Sequence, residues 1–78
     1  MLTEKNIRDA ITKSVAGFDV ATLDADMDFA DGGIDSLDHD SLLLQLQEDH
    51  NLVVPDEDVD KCTTINSTLE YSKTKIPQ

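Results

Sequence analysis

Gly33-Ile34-Asp35-Ser36-Leu37-Asp38 stands at the boundary between a glycine-bearing loop and a leucine-rich segment. Small polar residues are preferred where a helix begins, so this stretch predicts a helix that starts at Ser36, with the Ser36 side chain as its N-cap. The free N–H groups and the dipole of a helix N-terminus favour an anion. A phosphate ester on the Ser36 hydroxyl would therefore be well placed.

The leucine-rich segment itself is predicted to be a helix from about Ser36 to His50. One side of this helix would face the core, and it carries Leu42, Leu43 and Leu46 together with His39 and His50. Another side is predicted to be exposed, and it carries Leu37, Ser41, Leu44 and Glu48. Asn51 is predicted to end the helix.

Upstream, apolar residues at helical spacing predict a first helix over residues 3–16, with Thr3 as its cap and Gly17 as its stop. Glu4 with Arg8, and Asp9 with Lys13, are expected to form ion pairs one turn apart. Residues 18–35 are predicted to form a long loop. Its apolar anchors on the helices would be Phe18, Val20, Leu23, Met27, Phe29 and Ile34.

Downstream, residues 56–61 suit a short turn of helix with Asp56 as its cap. Thr64 is predicted to cap a last helix that Pro77 stops. Its core residues would be Ile65, Leu69, Tyr71 and Ile76. The predicted fold is all-α: a small four-helix bundle of three longer helices and one short one, with a long loop between helices 1 and 2.

Length and charge limit what this chain can do. Its 78 residues are expected to form a single domain, 1–78, and its formal net charge is −11. That charge argues against binding to nucleic acid or anionic membranes and favours partners with basic patches. Cys62, the one cysteine, is expected to be a small buried side chain. The polar N-terminus and the short apolar runs predict no signal peptide and no stable membrane insertion, hence a soluble, cytoplasmic protein. A monomer is the default expectation, since the sequence is silent on oligomeric state.

Several motifs in one register resemble the acyl carrier proteins, and the resemblance spans nearly the whole chain. The most specific part is Phe29-x-Asp31-x-Gly33-x-Asp35-Ser36-Leu37-Asp38, followed by the leucine-rich helix. The family's later pattern is matched by Val54-Pro55-Asp56-Glu57, Lys61, Thr63-Thr64 and Ile65. Agreement of several motifs at the family's usual distances is far stronger than a match of any one of them.

The resemblance implies that Ser36 carries 4'-phosphopantetheine, which a phosphopantetheinyl transferase moves from coenzyme A onto its Oγ. The thiol of this group would then hold acyl intermediates as thioesters. The chain would be no enzyme and have no catalytic residues, because the cofactor carries the reactivity. It would present the acyl group to acyl-transferring and chain-modifying enzymes of fatty-acid, polyketide or related lipid synthesis. An aminoacyl or peptidyl carrier is the alternative within the same superfamily.

Partner enzymes of the family present basic docking patches, and five residues are predicted to meet them here. They are Asp35, Leu37, Asp38, Leu44 and Glu48. The two aspartates are also expected to stabilise the positive end of the helix, by about 0.3–1 kcal/mol each.

A calcium-binding loop is an alternative of another class. Asp24, Asp26, Asp28 and Asp35 occupy positions one, three, five and twelve of an EF-hand-like loop between two helices. The match fails at loop position six, where Phe29 stands in place of the glycine that the turn needs. No dedicated metal site is therefore predicted.

Some positions depart from the family's usual pattern. Gly32 replaces an apolar residue and is expected to loosen the loop before Ser36. Asp40 replaces an aliphatic residue, Ser41 and Gln47 stand where acids are common, and His50 stands where an aromatic is frequent. These changes predict a specialised carrier with its own partner enzymes.

Overall fold

The computed structural model describes residues 2–75, which fold into three α-helices joined by loops and two 3₁₀ segments. The α-helices are α1 (Glu4–Ser14), α2 (Ser36–His50) and α3 (Ile65–Lys75), and the 3₁₀ segments are Val20–Thr22 and Asp56–Lys61. No strand occurs in this part of the chain. The all-α class and the long loop between the first two helices are confirmed, and Asp56–Lys61 is the predicted short helix.

Helix α1 begins where the sequence predicts but ends earlier. Thr3 and Asn6 form a capping box, in which the Thr3 hydroxyl accepts from Asn6 N at 3.2 Å and the Asn6 side chain accepts from Thr3 N at 3.0 Å. The helix ends at Ser14, and Gly17 follows in a turn with φ of 77°. Only glycine adopts such a backbone readily, which is why the chain can reverse at this point.

Helices α1 and α2 bury their predicted apolar faces against each other. Ile7, Ala10 and Ile11 of α1 are buried, and so are Leu42, Leu43 and Leu46 of α2. Asn51 ends α2 in the left-handed conformation, with φ of 59°.

The predicted ion pairs of α1 are half confirmed. Glu4 pairs with Arg8 at 2.9 Å, but the pair between Asp9 and Lys13 is wrong. Asp9 instead forms an ion pair with Lys5 at 3.0 Å, and Lys13 forms one with Asp49 of α2 at 3.1 Å. Local spacing cannot anticipate this exchange, because Asp49 comes close only once the helices pack.

Of the two helix caps predicted in the C-terminal half of the chain, one is confirmed and the other is wrong. Thr64 caps α3 as predicted, since its hydroxyl accepts from Ser67 N at 2.9 Å. The prediction that Asp56 caps the short helix is wrong, because Asp56 is its first residue and Pro55 holds the cap position. Proline offers no side-chain acceptor, and the turn is held by Asp58 N donating to Pro55 O at 2.8 Å. Ile76 and Pro77 lie outside the described residues.

The long loop is pinned to the helices by its apolar residues. Leu23, Phe29 and Ile34 are buried and Phe18 and Val20 pack against the core, as predicted, whereas Met27 is exposed. A Cβ at Gly32 would clash with Leu23 Cδ1, so the Leu23 side chain fills the space beside this glycine. A looser loop at Gly32 stays a prediction.

Tyr71 joins α3 to the short helix. Its hydroxyl donates to Asp58 Oδ2 at 2.6 Å, and Lys61 lies 3.3 Å from the same carboxylate. The hydrogen bond from Tyr71 is the main reason that the pKa of Asp58 lies below its ordinary value. Burial, reinforced by the carboxylate of Asp58, raises the pKa of Tyr71 to about 12. The short helix is thereby held on α3 by a group that titrates in acid.

Replacing Tyr71 with phenylalanine is expected to lower the free energy of unfolding near neutral pH, because the variant removes the hydrogen bond that Tyr71 donates to the Asp58 carboxylate. The folded pKa of Asp58 lies below its unfolded value of about 3.9, so this contribution is present above that pH and is lost as the pH falls through the folded pKa. Urea titrations from neutral to acid pH should show the two proteins converging. A difference that stays constant down to the lowest pH would contradict the Asp58 linkage.

Candidate functional site

The N-terminus of α2 is built by Asp35, not by Ser36. Asp35 has an extended backbone, and its Oδ1 accepts from Asp38 N at 2.8 Å. The prediction that Ser36 is the N-cap is therefore wrong: Ser36 is the first residue of the helix. The carboxylate of Asp35 also interacts favourably with the positive end of the helix. Because the aspartate does the capping, the hydroxyl of Ser36 is not needed to hold the helix.

The loop before the helix directs Ser36 outward. Gly33 has φ of 103°, a conformation that side chains disfavour, and Ile34 directly after it is buried. Ile34 N donates to Phe29 O at 2.8 Å, which closes the turn under the helix end. Ser36 itself is exposed. A tight turn anchored by one buried isoleucine thus presents the hydroxyl to solvent.

The exposed helix end suits a phosphate ester. The first N–H groups of a helix have no partner inside it. Asp38 N donates to the Asp35 side chain, and His39 N donates to Asp35 O at 2.8 Å. The N–H groups of Ser36 and Leu37 are therefore the ones available to an anion at this helix end. They and the helix dipole offset the repulsion from the neighbouring carboxylates. The residues present therefore fit a phosphodiester on Ser36 Oγ.

A cleft of about 200 Å³ opens directly beside Ser36. The loop supplies Phe29 and Ile34, α2 supplies His39, the short helix supplies Asp60, and the segment between the short helix and α3 supplies Thr63. Sequence reasoning did not bring Asp60 and Thr63 to this site. Nothing in the local pattern could have done so, because they lie more than twenty residues after Ser36 and reach it only through packing.

His39 lies on the core-facing side of α2, as predicted. It is half-buried, its ring lies 5.4 Å from that of Phe29, and its Nε2 lies 2.7 Å from Cys62 O. A carbonyl can only accept, so Nε2 carries the proton. The prediction for Cys62 is also confirmed: the residue is buried, and burial is the main cause that raises the pKa of its thiol to about 11.

The five predicted partner-binding residues lie at or near the surface along α2. Leu37 is 75% exposed and Leu44 is 56% exposed, which is unusual for leucine in so small a domain. Asp35 and Glu48 are exposed, and Asp38 is half-buried. Leu37 and Leu44 are seven residues apart and so share one face of the helix. The structure brings these side chains onto one surface, and their contacts with partners stay a prediction.

The positions that depart from the family pattern border this surface. Asp40 and Gln47 line a second depression of about 200 Å³ beside Leu44, which the segment from Val54 to Val59 closes on the other side. Ser41 is exposed and His50 is half-buried. Asp40 and Gln47 therefore lie next to Leu44 on the surface of α2.

The alternative calcium loop is not assembled. Asp24 Oδ1 accepts from Asp26 N at 2.8 Å, and Asp28 Oδ1 accepts from Ala30 N at 2.9 Å. The Asp26 carboxylate accepts a hydrogen bond from the side-chain amide of Asn66, and Asp35 caps α2. Within residues 2–75, no group of three or more His, Cys, Asp or Glu side chains could hold a metal ion. These carboxylates hold local turns instead of converging on one point.

Comparison with known proteins identifies the same region. A family model described as "Phosphopantetheine attachment site" matches residues 7–72. The chain is also 32% identical over 73 residues to a protein of Dictyostelium discoideum named "Acyl carrier protein, mitochondrial". That match covers 90% of this chain and 61% of the relative's length. None of the helices in the described part of the chain is long and apolar enough to cross a membrane.

Proposed function

The chain belongs to the acyl carrier protein family, and we propose that Ser36 is the residue that bears its 4'-phosphopantetheine. The single observation that carries this assignment is the position of Ser36, exposed at the first residue of α2 and free of the capping role. When bound, the group supplies a thiol that holds an acyl chain as a thioester. The protein's own part is to present this chain and to be recognised.

For attachment, this chain itself has to supply only a nucleophilic oxygen that the transferase can reach. In the proposed reaction, Ser36 Oγ attacks the phosphorus of coenzyme A that bears the pantetheine. The bond from that phosphorus to the adenosine bisphosphate breaks, and the hydroxyl proton passes to a base of the transferase. Ser36 is exposed, and its neighbours in sequence, Asp35 and Leu37, are not basic. In this proposal the base that takes the proton, and the metal or basic groups that neutralise the phosphates of coenzyme A, therefore come from the transferase.

The acidity of the chain supports partners with basic docking patches. With a net charge of −11, long-range attraction would accelerate the encounter with a phosphopantetheinyl transferase and with acyl-transferring and chain-modifying enzymes. Asp35, Asp38 and Glu48 would meet basic side chains, while Leu37 and Leu44 would supply apolar contact. Fatty-acyl or polyketide intermediates are the proposed cargo, because aminoacyl and peptidyl carriers are generally less acidic. The cytoplasmic location stays a prediction.

The assignment is tested by incubating the purified chain with coenzyme A and a broad-specificity phosphopantetheinyl transferase. We expect the intact mass to rise by one phosphopantetheine, and fragmentation of the peptide to place it on Ser36. An unchanged mass, or a modification on another residue, would contradict the proposal.

Replacing Leu44 with alanine is expected to weaken partner binding about tenfold, equivalent to about 1.4 kcal/mol, because the variant has less exposed apolar surface to remove from water when a partner covers it. Val53 is the matched control: it is also 56% exposed but lies in the loop after α2. The Val53→Ala variant should bind as the wild type does. Dissociation constants for the transferase at fixed ionic strength measure both, and equal losses would exclude a docking role specific to Leu44.

A further inference from the structure

The cleft beside Ser36 is lined by both apolar and acidic side chains. Phe29, Ala30 and Ile34 are among its apolar lining residues, and Asp28, Asp35 and Asp60 lie beside them with Ser36. An acyl group on a flexible arm at Ser36 could reach this cleft and lose contact with water there. Apolar surface removed from water is stabilising, so the cleft is a shelter for the first part of such a chain.

Two hydrogen bonds close the cleft on the side of the core. They meet at consecutive carbonyl groups in the segment before α3. His39 Nε2 donates to Cys62 O at 2.7 Å, and Phe29 N donates to Thr63 O at 2.8 Å. The first joins this segment to α2 and the second joins it to the loop. The three parts of the chain around the cleft are thus tied together at its inner end.

The core behind this closure is filled. Cys62, Ile65 and Thr68 have no exposed surface, and neither does Leu46 of α2. Protein interiors are close-packed, so there is no room here for a further alkyl chain unless side chains move. Of the two ties, the Phe29 bond is made by backbone groups alone. Of these two ties, the one made by His39 is therefore the one that a side-chain replacement removes, which would loosen the contact between α2 and the segment before α3.

We propose that His39 limits the length of acyl chain that this carrier shelters, so that short acyl groups are covered by the cleft while longer ones extend into solvent. The proposal rests on the assignment of the arm to Ser36. It makes His39 a positioning residue that acts on the cargo through Cys62 O and the ring of Phe29, without contact with the reacting thioester. A carrier built in this way favours short-chain intermediates, because every methylene beyond the cleft stays exposed to water.

The test is a chain-length series. The transferase loads acetyl-, butyryl-, octanoyl- and dodecanoyl-phosphopantetheine onto the wild type from the corresponding acyl-coenzyme A, and intact mass confirms each product. We expect the Tm to rise from acetyl to butyryl and then to remain constant. Amide chemical shifts should change at Phe29, His39 and Thr63, and those of Ile65 and Thr68 should not change with longer chains.

Two variants isolate the role of the side chain. In His39→Ala the plateau should move to longer chains, so that octanoyl raises the Tm further and shifts the amides of Ile65 and Thr68. In His39→Gln the side-chain amide can still donate to Cys62 O, and the plateau should remain that of the wild type. A simple loss of stability would lower every Tm equally without changing its dependence on chain length.

Three results would overturn the proposal. One is a wild-type Tm that rises steadily with chain length while core amides shift, which needs no variant to be observed. Another is an unchanged plateau in a folded His39→Ala protein. The third is failure of the wild type to gain any acyl-phosphopantetheine mass, which would refute the attachment itself and is distinguished from the other two by the mass spectrum alone.

Discussion

Replacing Ser36 with alanine is expected to abolish the addition of phosphopantetheine while changing the free energy of unfolding by no more than about 0.5 kcal/mol. The loss is complete because the variant has no oxygen at this position to attack the phosphorus of coenzyme A. Stability is preserved because the cap of α2 is made by Asp35, whose Oδ1 accepts from Asp38 N. Intact mass after incubation with the transferase gives the first quantity and urea unfolding gives the second.

Ser41 provides the matched control, since it is an exposed serine in the same helix. The Ser41→Ala variant should load as completely as the wild type. A residual adduct in Ser36→Ala would place the arm on another hydroxyl. A fall in stability of about 1 kcal/mol or more would instead show that the Ser36 side chain contributes to the cap after all.

The bounds of α2 could be predicted from the sequence, but its cap could not. Ser36 to His50 follows from leucine spacing and from Asn51, whose tolerance of the left-handed conformation ends the helix. Asp35 and Ser36 are both good capping residues, and they are adjacent. The choice between them depends on which residue takes the extended backbone, and this is set by the tight turn at Gly33 and Ile34. That turn is tertiary information, because Ile34 is positioned by its burial in the core.

Gly32 shows the same limit from the opposite direction. Judged by its neighbours in sequence, a glycine in place of an apolar residue predicts a looser loop. In the fold, Leu23 occupies the space that a side chain at Gly32 would need, so the apolar volume is kept while its source moves nine residues upstream. Inspection of each position separately shows that an apolar side chain is missing at Gly32, but it cannot show that the Leu23 side chain occupies the same space.

The site around Ser36 divides in a similar way. The proposed anchor and its flanking acids lie within one continuous motif, and Leu44 follows from the helical spacing after it, so these residues could be predicted from the sequence. The cleft is made from three separate segments, and the tie from His39 to Cys62 O spans 23 residues. Helical spacing indicates that His39 faces inward, but the identity of its partner depends on where the short helix and α3 come to rest.

Replacing Phe29 with alanine is expected to lower the free energy of unfolding by about 3–5 kcal/mol. Phe29 is 2% exposed, and it is the largest of the fully buried side chains. A chain of 78 residues has a total stability of roughly 4–12 kcal/mol, so this variant should lie close to the limit of folding. Because the Phe29 side chain lines the cleft beside Ser36, the variant that remains folded should load Ser36 more slowly.

Phe18 is the matched control, because it carries the same side chain in the same loop but is only half-buried. Phe18→Ala should therefore cost clearly less, since less apolar surface returns to water and the space it leaves is open to solvent. Urea titrations with an unchanged m-value give both differences. Equal losses would mean that Phe29 acts only as one more apolar contact. A much larger loss at Phe29 would show that the stability of the fold depends on the ring that the loop before Ser36 buries in the core.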